Sequence, residues 1–155
     1  MLFVQFTLDH DRYVLDSSQI ERMLPLVPLK TMPGVPAWVA GIFEHEGAPV
    51  PVIDLAALAL GRRSLERLST RLALVYYPHK TPAGVEQRRL AIMLERAIRT
   101  LSLDATAFSH SGVEAAQARY LGPLARDAQG FVQWVRVEHL LPDHVQAQLF
   151  TESAA

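Results

Sequence analysis

Val50-Pro51-Val52-Ile53-Asp54-Leu55 is the stretch on which the fold turns. Strand-forming residues run into an aspartate, then into an apolar segment, residues 55–60, that Gly61 stops. An aspartate side chain can accept from the free N–H groups of a helix's first turn, and a glycine can take the left-handed conformation that ends one. The stretch predicts a strand that runs straight into one short, capped helix. Just upstream, Ile42-Phe43 reads as a partner strand, with the turn at Gly47. Before that, Pro25, Pro28, Pro33 and Pro36 forbid a long helix and favour extended connections. Residues 37–40 are expected to make a single helical turn ending at Gly41.

The N-terminus alternates. Leu2, Val4, Phe6 and Leu8 share one face, and Phe3, Gln5 and Thr7 the other, which predicts a half-buried strand. A polar turn, Asp9-His10-Asp11-Arg12, returns the chain through Tyr13-Val14-Leu15 as a hairpin. Asp16-Ser17-Ser18 can cap a short helical turn before Ile20. Downstream, residues 72–77 are strand formers, 78–87 reads as a polar loop, and 90–94 and 98–103 read as two further strands. Residues 102–119 read as a loop with one helical turn. Tyr120-Leu121-Gly122 restarts a strand, 131–137 is the last, and Asp143 caps a closing helix over 143–150.

Short strands separated by turn signals, with few helices, predict a mainly β fold built as small barrels or a sandwich. Residues 132–141 repeat the plan of 50–58, a strand running into an acidic residue and a short apolar helix. That repeat fits a single domain of two similar subdomains, about 15–70 and about 71–141 plus the N-terminal strand, followed by the 143–150 helix. Convergent strand-to-helix usage accounts for it equally well.

Composition narrows the function. Half of the 155 residues are hydrophobic and a fifth are charged, as in a globular chain. Lys+Arg is 15 against Asp+Glu 16, a net charge of -1, which argues against a general nucleic-acid binder. No cysteine is present, so disulfides and thiolate chemistry are excluded. The apolar run 35–43 is far too short to span a bilayer, and residues 1–5 carry no basic region or cleavage site. A cytoplasmic protein that does not insert in the membrane is expected.

No catalytic motif emerges. The glycines do not form a phosphate loop, and no serine sits in a nucleophile elbow. Glu44-His45-Glu46 is the densest cluster, yet on a strand Glu44 and Glu46 face away from His45, so a metal or catalytic site is not expected. His10, His79, His110, His139 and His144 lack evident partners. Arg62, Arg63, Arg67 and Arg71 form a basic run that Glu66 interrupts, read as a solvated loop. Trp38 and Trp134 are expected to anchor the core. The remaining candidates for recognition are apolar: Ile20, Met23, Leu24, Ile42 and Phe43. No enzyme activity, cofactor or metal is expected.

Several of these segments, in order, resemble the CheW family, the adaptor domain of bacterial chemosensory arrays. Ile20-Glu21-Arg22-Met23-Leu24 resembles the family's V-x-E-V-L strand, and residues 33–42 its P-x-x-P-x-x-x-x-G-V segment. Residues 47–55 resemble G-x-x-V-P-V-I-D-L, and Tyr120-Leu121-Gly122 and Glu138-His139-Leu140-Leu141 match the closing pattern. The resemblance implies two five-stranded β-barrel subdomains around a common core, and a non-enzymatic scaffold. It implies as partners the cytoplasmic tip of a methyl-accepting chemoreceptor, in a groove between the barrels, and the regulatory domain of a CheA-type histidine kinase, at one end of the first barrel. It therefore implies a cytoplasmic location peripheral to the inner membrane, in receptor arrays. Ile20, Arg22, Met23, Gly41, Phe43, Glu46 and Gly47 fall on the segments that carry those contacts.

The chain departs from the family at two points, the strand at Ala91, which lacks the family's usual glycine, and the hairpin turn. The family's N-L-R-G turn reads Glu44-His45-Glu46-Gly47 here, so an arginine tied to array binding is replaced by Glu46. The early first strand, Ala57-Leu58-Ala59-Leu60-Gly61 and Tyr120-Leu121-Gly122-Pro123 resemble adaptors of Wsp-type surface-sensing arrays, which control a diguanylate cyclase. Two other readings stay open. One is a small-ligand-binding β-barrel with Trp38 or Trp134 lining a pocket. The other is a hydrolase using Glu46, His45 or Asp54.

Overall fold

The computed structural model describes residues 1–151. Nine strands follow the chain: β1 (Leu2–Leu8), β2 (Asp11–Asp16), β3 (Ile20–Pro25), β4 (Val39–His45), β5 (Ala48–Asp54), β6 (Arg71–Thr81), β7 (Gly84–Ser102), β8 (Leu121–Asp127) and β9 (Gly130–Val135). Among the described residues, two short helices, α1 (Leu55–Leu60) and α2 (Asp143–Leu149), and three 3-10 turns complete the regular structure. The fold is mainly β, as the sequence predicts.

The strands form one nine-stranded sheet in two halves that share β7. The first part of β7 lies between β6, antiparallel, and β5, parallel, which gives the order β3-β6-β7-β5-β4. The second part pairs with β1 and gives the order β7-β1-β2-β9-β8. Neither half closes as a continuous ladder. A single bridge spans each open side, Lys30 to Ile42 in the first half and Ser109 to Leu124 in the second.

Three apolar clusters explain why so many strands are hydrophobic without interruption. The largest lies on both halves and includes Phe6, Leu15, Ile53, Ala73, Val75, Ile92, Leu94 and Val135. A second, of Val50, Val52, Leu72, Leu74, Ala91 and Met93, belongs to the first half. A third, of Phe3, Val14, Ala125 and Val132, belongs to the second half. Successive residues of a strand face opposite sides. Leu72, Ala73, Leu74 and Val75 therefore alternate between two clusters, and both faces are dry. Phe3, on the face of β1 that looked polar, is fully buried in the third cluster, edge-on to Trp134 at 5.1 Å.

Local capping follows the sequence closely. Asp16 accepts from Ser18 N–H at 3.0 Å and starts the 3-10 turn Ser17–Gln19. Asp54 caps α1 by accepting from Ala57 N–H, and Gly61, at φ 73°, ends it. The closing helix begins at Asp143, but its cap is Pro142, without a side-chain bond.

Several expectations are corrected. Residues 37–40 do not form a helical turn ending at Gly41: one hydrogen-bonded turn, Val39 N–H to Pro36 O at 2.9 Å, gives way to β4 at Val39. Gly41 lies inside that strand at φ 150°, where an added Cβ would stand 2.5 Å from Lys30 O, so its role is to let the Lys30 backbone approach. Residues 78–87 are not a loop: β6 and β7 continue as a ladder to the Thr81–Gly84 pair. Strands 90–94 and 98–103 are one strand, bent at Arg96, whose φ is 50°. The switch from one half-sheet to the other falls within β7. The last strand ends at Val135, and β8 extends to Asp127, further than Tyr120-Leu121-Gly122 suggested.

Candidate partner-binding surface

The β4–β5 hairpin closes tightly. His45 pairs with Ala48, and only Glu46 and Gly47 lie between them. Both have positive φ, 52° and 80°, as the mirror-image turns that match strand twist require. Glycine accepts this freely; glutamate does so against its own Cβ. The turn also overturns the expected facing of the Glu44-His45-Glu46 cluster. The strand stops at His45, so Glu46 swings round, and its Oε1 comes 3.8 Å from His45 Nε2.

Glu46 is not a free charge. Its Oε2 lies 3.2 Å from Nη2 of Arg89 on β7. Arg89 is itself held on Glu21 of β3 by a forked pair, Nη2 to Oε1 at 2.9 Å and Nε to Oε2 at 3.2 Å. Tyr76 of β6 donates its hydroxyl to Glu21 at 3.1 Å, and its ring lies under the guanidinium at 5.9 Å. The hydrogen bond from Arg89 holds the Glu21 carboxyl below its ordinary value. Three strands and one turn meet in this cluster, which nothing in the local sequence announces, since Glu46 and Arg89 lie far apart in the chain.

Beside the turn runs a groove of about 490 Å³ between the 27–30 segment and the hairpin. Val27, Pro28, Ile42, Phe43 and Pro49 give it an apolar wall, Lys30 and Glu44 supply opposite charges, and Gly47 lies at the turn. A larger groove, about 720 Å³, is lined from both halves by Trp38, Leu58, Tyr120, Leu140 and Leu141, among others. Trp38 thus borders a cavity, whereas Trp134 packs between Phe3 and Phe108.

The seven sequence candidates separate into distinct environments. Phe43 and Gly47 line the smaller groove, and Glu46 lies beside it in the Arg89 cluster. Arg22 is exposed on β3. Ile20 and Met23 are half-buried and pack on the largest cluster, so they brace the surface from beneath. Gly41 is buried under Lys30 and presents no side chain. Missed by sequence reasoning were Lys30, Glu44, Tyr76 and Arg89. Asp54 accepts from Ser64 N–H at 2.8 Å, from the Ser64 hydroxyl at 2.6 Å and from Ala57 N–H at 3.3 Å, so its carboxylate is committed to holding α1 and the Ser64 turn. His79, which had no evident partner, bonds Gln146 at 3.1 Å. Among the described residues, no cluster of three His, Cys, Asp or Glu could hold a metal, and no helix is long and apolar enough to cross a membrane.

These features define a mainly β, two-halved domain with an open apolar groove and a charged turn at its edge. The CheW-like domain family matches residues 2–145, and the chain belongs to that family. Among solved structures, the scaffolding protein TtCheW from Thermoanaerobacter tengcongensis is similar in fold. The TM-score is 0.76 at 15% identity, covering 93% of this chain and 89% of that one. No curated protein matches the sequence.

Proposed function

We propose that this chain is a non-enzymatic chemosensory adaptor. It couples the cytoplasmic tip of a methyl-accepting chemoreceptor to the regulatory domain of a CheA-type histidine kinase, in arrays peripheral to the inner membrane. The observation that carries the reading is the open apolar groove at the β4–β5 hairpin. It combines exposed apolar area with fixed charges at its edge, the composition of a protein contact. Membership of the CheW-like family and the fold shared with a scaffolding protein support it. The commitment of Asp54 to capping removes the best carboxylate from a hydrolase reading.

Titration of the full chain with a receptor-tip fragment and with the kinase regulatory domain tests the proposal. Arg22→Glu and Glu44→Lys change exposed side chains and should weaken binding to at least one partner without unfolding the chain. Unchanged affinity of both variants for both partners removes this surface from the contact. The resemblance to Wsp-type adaptors makes a diguanylate cyclase response regulator the first output to assay. Trp38 at the larger groove favours the small-ligand reading, and a ligand that raises the melting temperature while displacing neither partner would support it.

A further inference from the structure

The connection between α1 and β6, residues 61–70, is fixed at more points than a solvated loop needs. Ser64 donates its N–H and hydroxyl to Asp54. Glu95 on β7 accepts from Leu65 N–H at 2.8 Å and from the Arg62 guanidinium at 2.8 Å. Arg62 also holds Asp9 at 2.9 Å. Thr70 donates its hydroxyl to Leu65 O and its N–H to Arg67 O, and Ala97 N–H donates to Ser69 O at 2.9 Å.

This bracing presents leucines to water. Leu68 is 99% exposed and Leu65 is 49% exposed. Solitary exposed apolar residues are ordinary, but these stand among cations. Arg63, Arg67, Arg71 and Arg96 are exposed, and among the described residues none of them forms an ion pair. Arg67, Arg96 and Leu65 line one pocket of about 180 Å³, whose two carboxylates, Asp9 and Glu95, are both taken up by Arg62. Arginines that outnumber the carboxylates beside them and form no ion pair raise the local positive potential, which selects for an anionic partner.

We infer that the 61–70 loop, with Arg96, is a second docking surface that takes an acidic segment of a partner protein. Leu65 and Leu68 make the apolar contact, Arg63, Arg67 and Arg96 pair with the partner's carboxylates, and Arg62 is the internal brace. A protein, unlike an anionic bilayer, can also set a cation against Glu66, the one carboxylate within the loop. This surface shares no lining residue with the β4–β5 groove, so it stands apart from the adaptor contact proposed above.

The test is site-specific photo-crosslinking of the full chain in its native cells, with p-benzoylphenylalanine in place of Leu68. The site is fully exposed, so the larger side chain meets no neighbour. An adduct mapped to a segment of net negative charge is expected. Combining it with Arg67→Glu and Arg96→Glu should lower the yield about tenfold. Those two arginines carry no ion pair, but Asp9 and Glu95 share their pocket, so Arg67→Gln and Arg96→Gln are the paired variants whose melting temperature should hold while the yield still falls. The proposal is overturned by absence of an adduct, by an adduct to a neutral or basic segment, or by a yield indifferent to the charge reversal. It is equally overturned if the purified chain binds phosphatidylglycerol vesicles through Leu68 and the cellular adducts are lipid alone.

Discussion

Two arginines of this molecule each bridge a pair of carboxylates, and their settings separate bracing from display. Arg62 joins Asp9 and Glu95, and the Glu95 side chain is only 9% exposed. Arg89 joins Glu21 and Glu46, whose side chains are 27% and 58% exposed. A buried carboxylate deprived of its donors faces a desolvation penalty, whereas an exposed one turns to water. The Arg62 node should therefore register in stability and the Arg89 node in recognition.

The sharpest way to break this comparison is Glu95→Ala. The variant leaves Leu65 N–H without its acceptor and frees Arg62 from the sheet. Loss of a buried acceptor costs about 2 kcal/mol, which lowers the melting temperature of a domain this size by about 4–8 °C. A shift below about one degree would mean that the loop holds itself and the node braces nothing. The corresponding change at the other node is Glu46→Arg. It sets two cations side by side at the turn, but in water, so melting should move by no more than about 2 °C. Partner affinity should change by about tenfold, and more at low salt, because Arg89 is then released from one of its two anions. Titration at two salt concentrations reads this. Equal affinities would place the turn outside the contact.

Much of this architecture was legible before any coordinates, and the failures have physical causes. Alternation gave β1, and Asp54 and Gly61 gave α1, because each signal is local. The β6–β7 ladder beyond residue 77 was hidden by Pro78 and by polar side chains. Its proline is tolerated because β3 stops pairing at Val75, so beyond that point β6 has β7 on one side only and an N–H facing outward is not missed. Arg96 looked like the gap between two strands and is a bend within one. For the candidate surface, Phe43 and Gly47 could be read from their neighbours in sequence. Arg89 could not, since only the pairing of β7 with β6, and of β6 with β3, brings it to Glu21 and the hairpin turn. Charge compensation across strands carries no local periodicity.

Acid titration sharpens the same contrast. At Glu95, burial alone would raise the carboxyl's pKa, but hydrogen bonds from Arg62 and from Leu65 N–H outweigh it and hold the group below its ordinary value. Glu21 is lowered chiefly by its hydrogen bond from Arg89. A carboxylate whose folded value is depressed contributes stability that is complete above its unfolded value, about 4.3, and is lost as pH falls through the folded one. Both nodes should therefore weaken together in acid. Denaturant midpoints measured between neutral pH and acid should flatten clearly in Glu95→Gln and only slightly in Glu21→Gln, where solvent screens the pair. Equal flattening would erase the distinction.

The smallest effect is expected of Glu46→Asn, and it bears on why a glutamate stands in this turn. A residue at φ 52° beside a glycine at φ 80° is a position that asparagine fills at less backbone cost. Glu46→Asn should relieve about 0.5 kcal/mol of local strain while giving up the exposed pair with Arg89. The backbone gain should prevail, raising the melting temperature by less than about 2 °C once the lost pair is subtracted. Partner affinity should nonetheless change in the same direction as in Glu46→Arg, and by less, since one negative charge is removed and none is reversed. That combination would show the turn holding a residue suited to its charge over one suited to its geometry. A variant that melts lower would show instead that the Glu46–Arg89 pair stabilises the hairpin, and the Arg89 node would then brace the fold as Arg62 does.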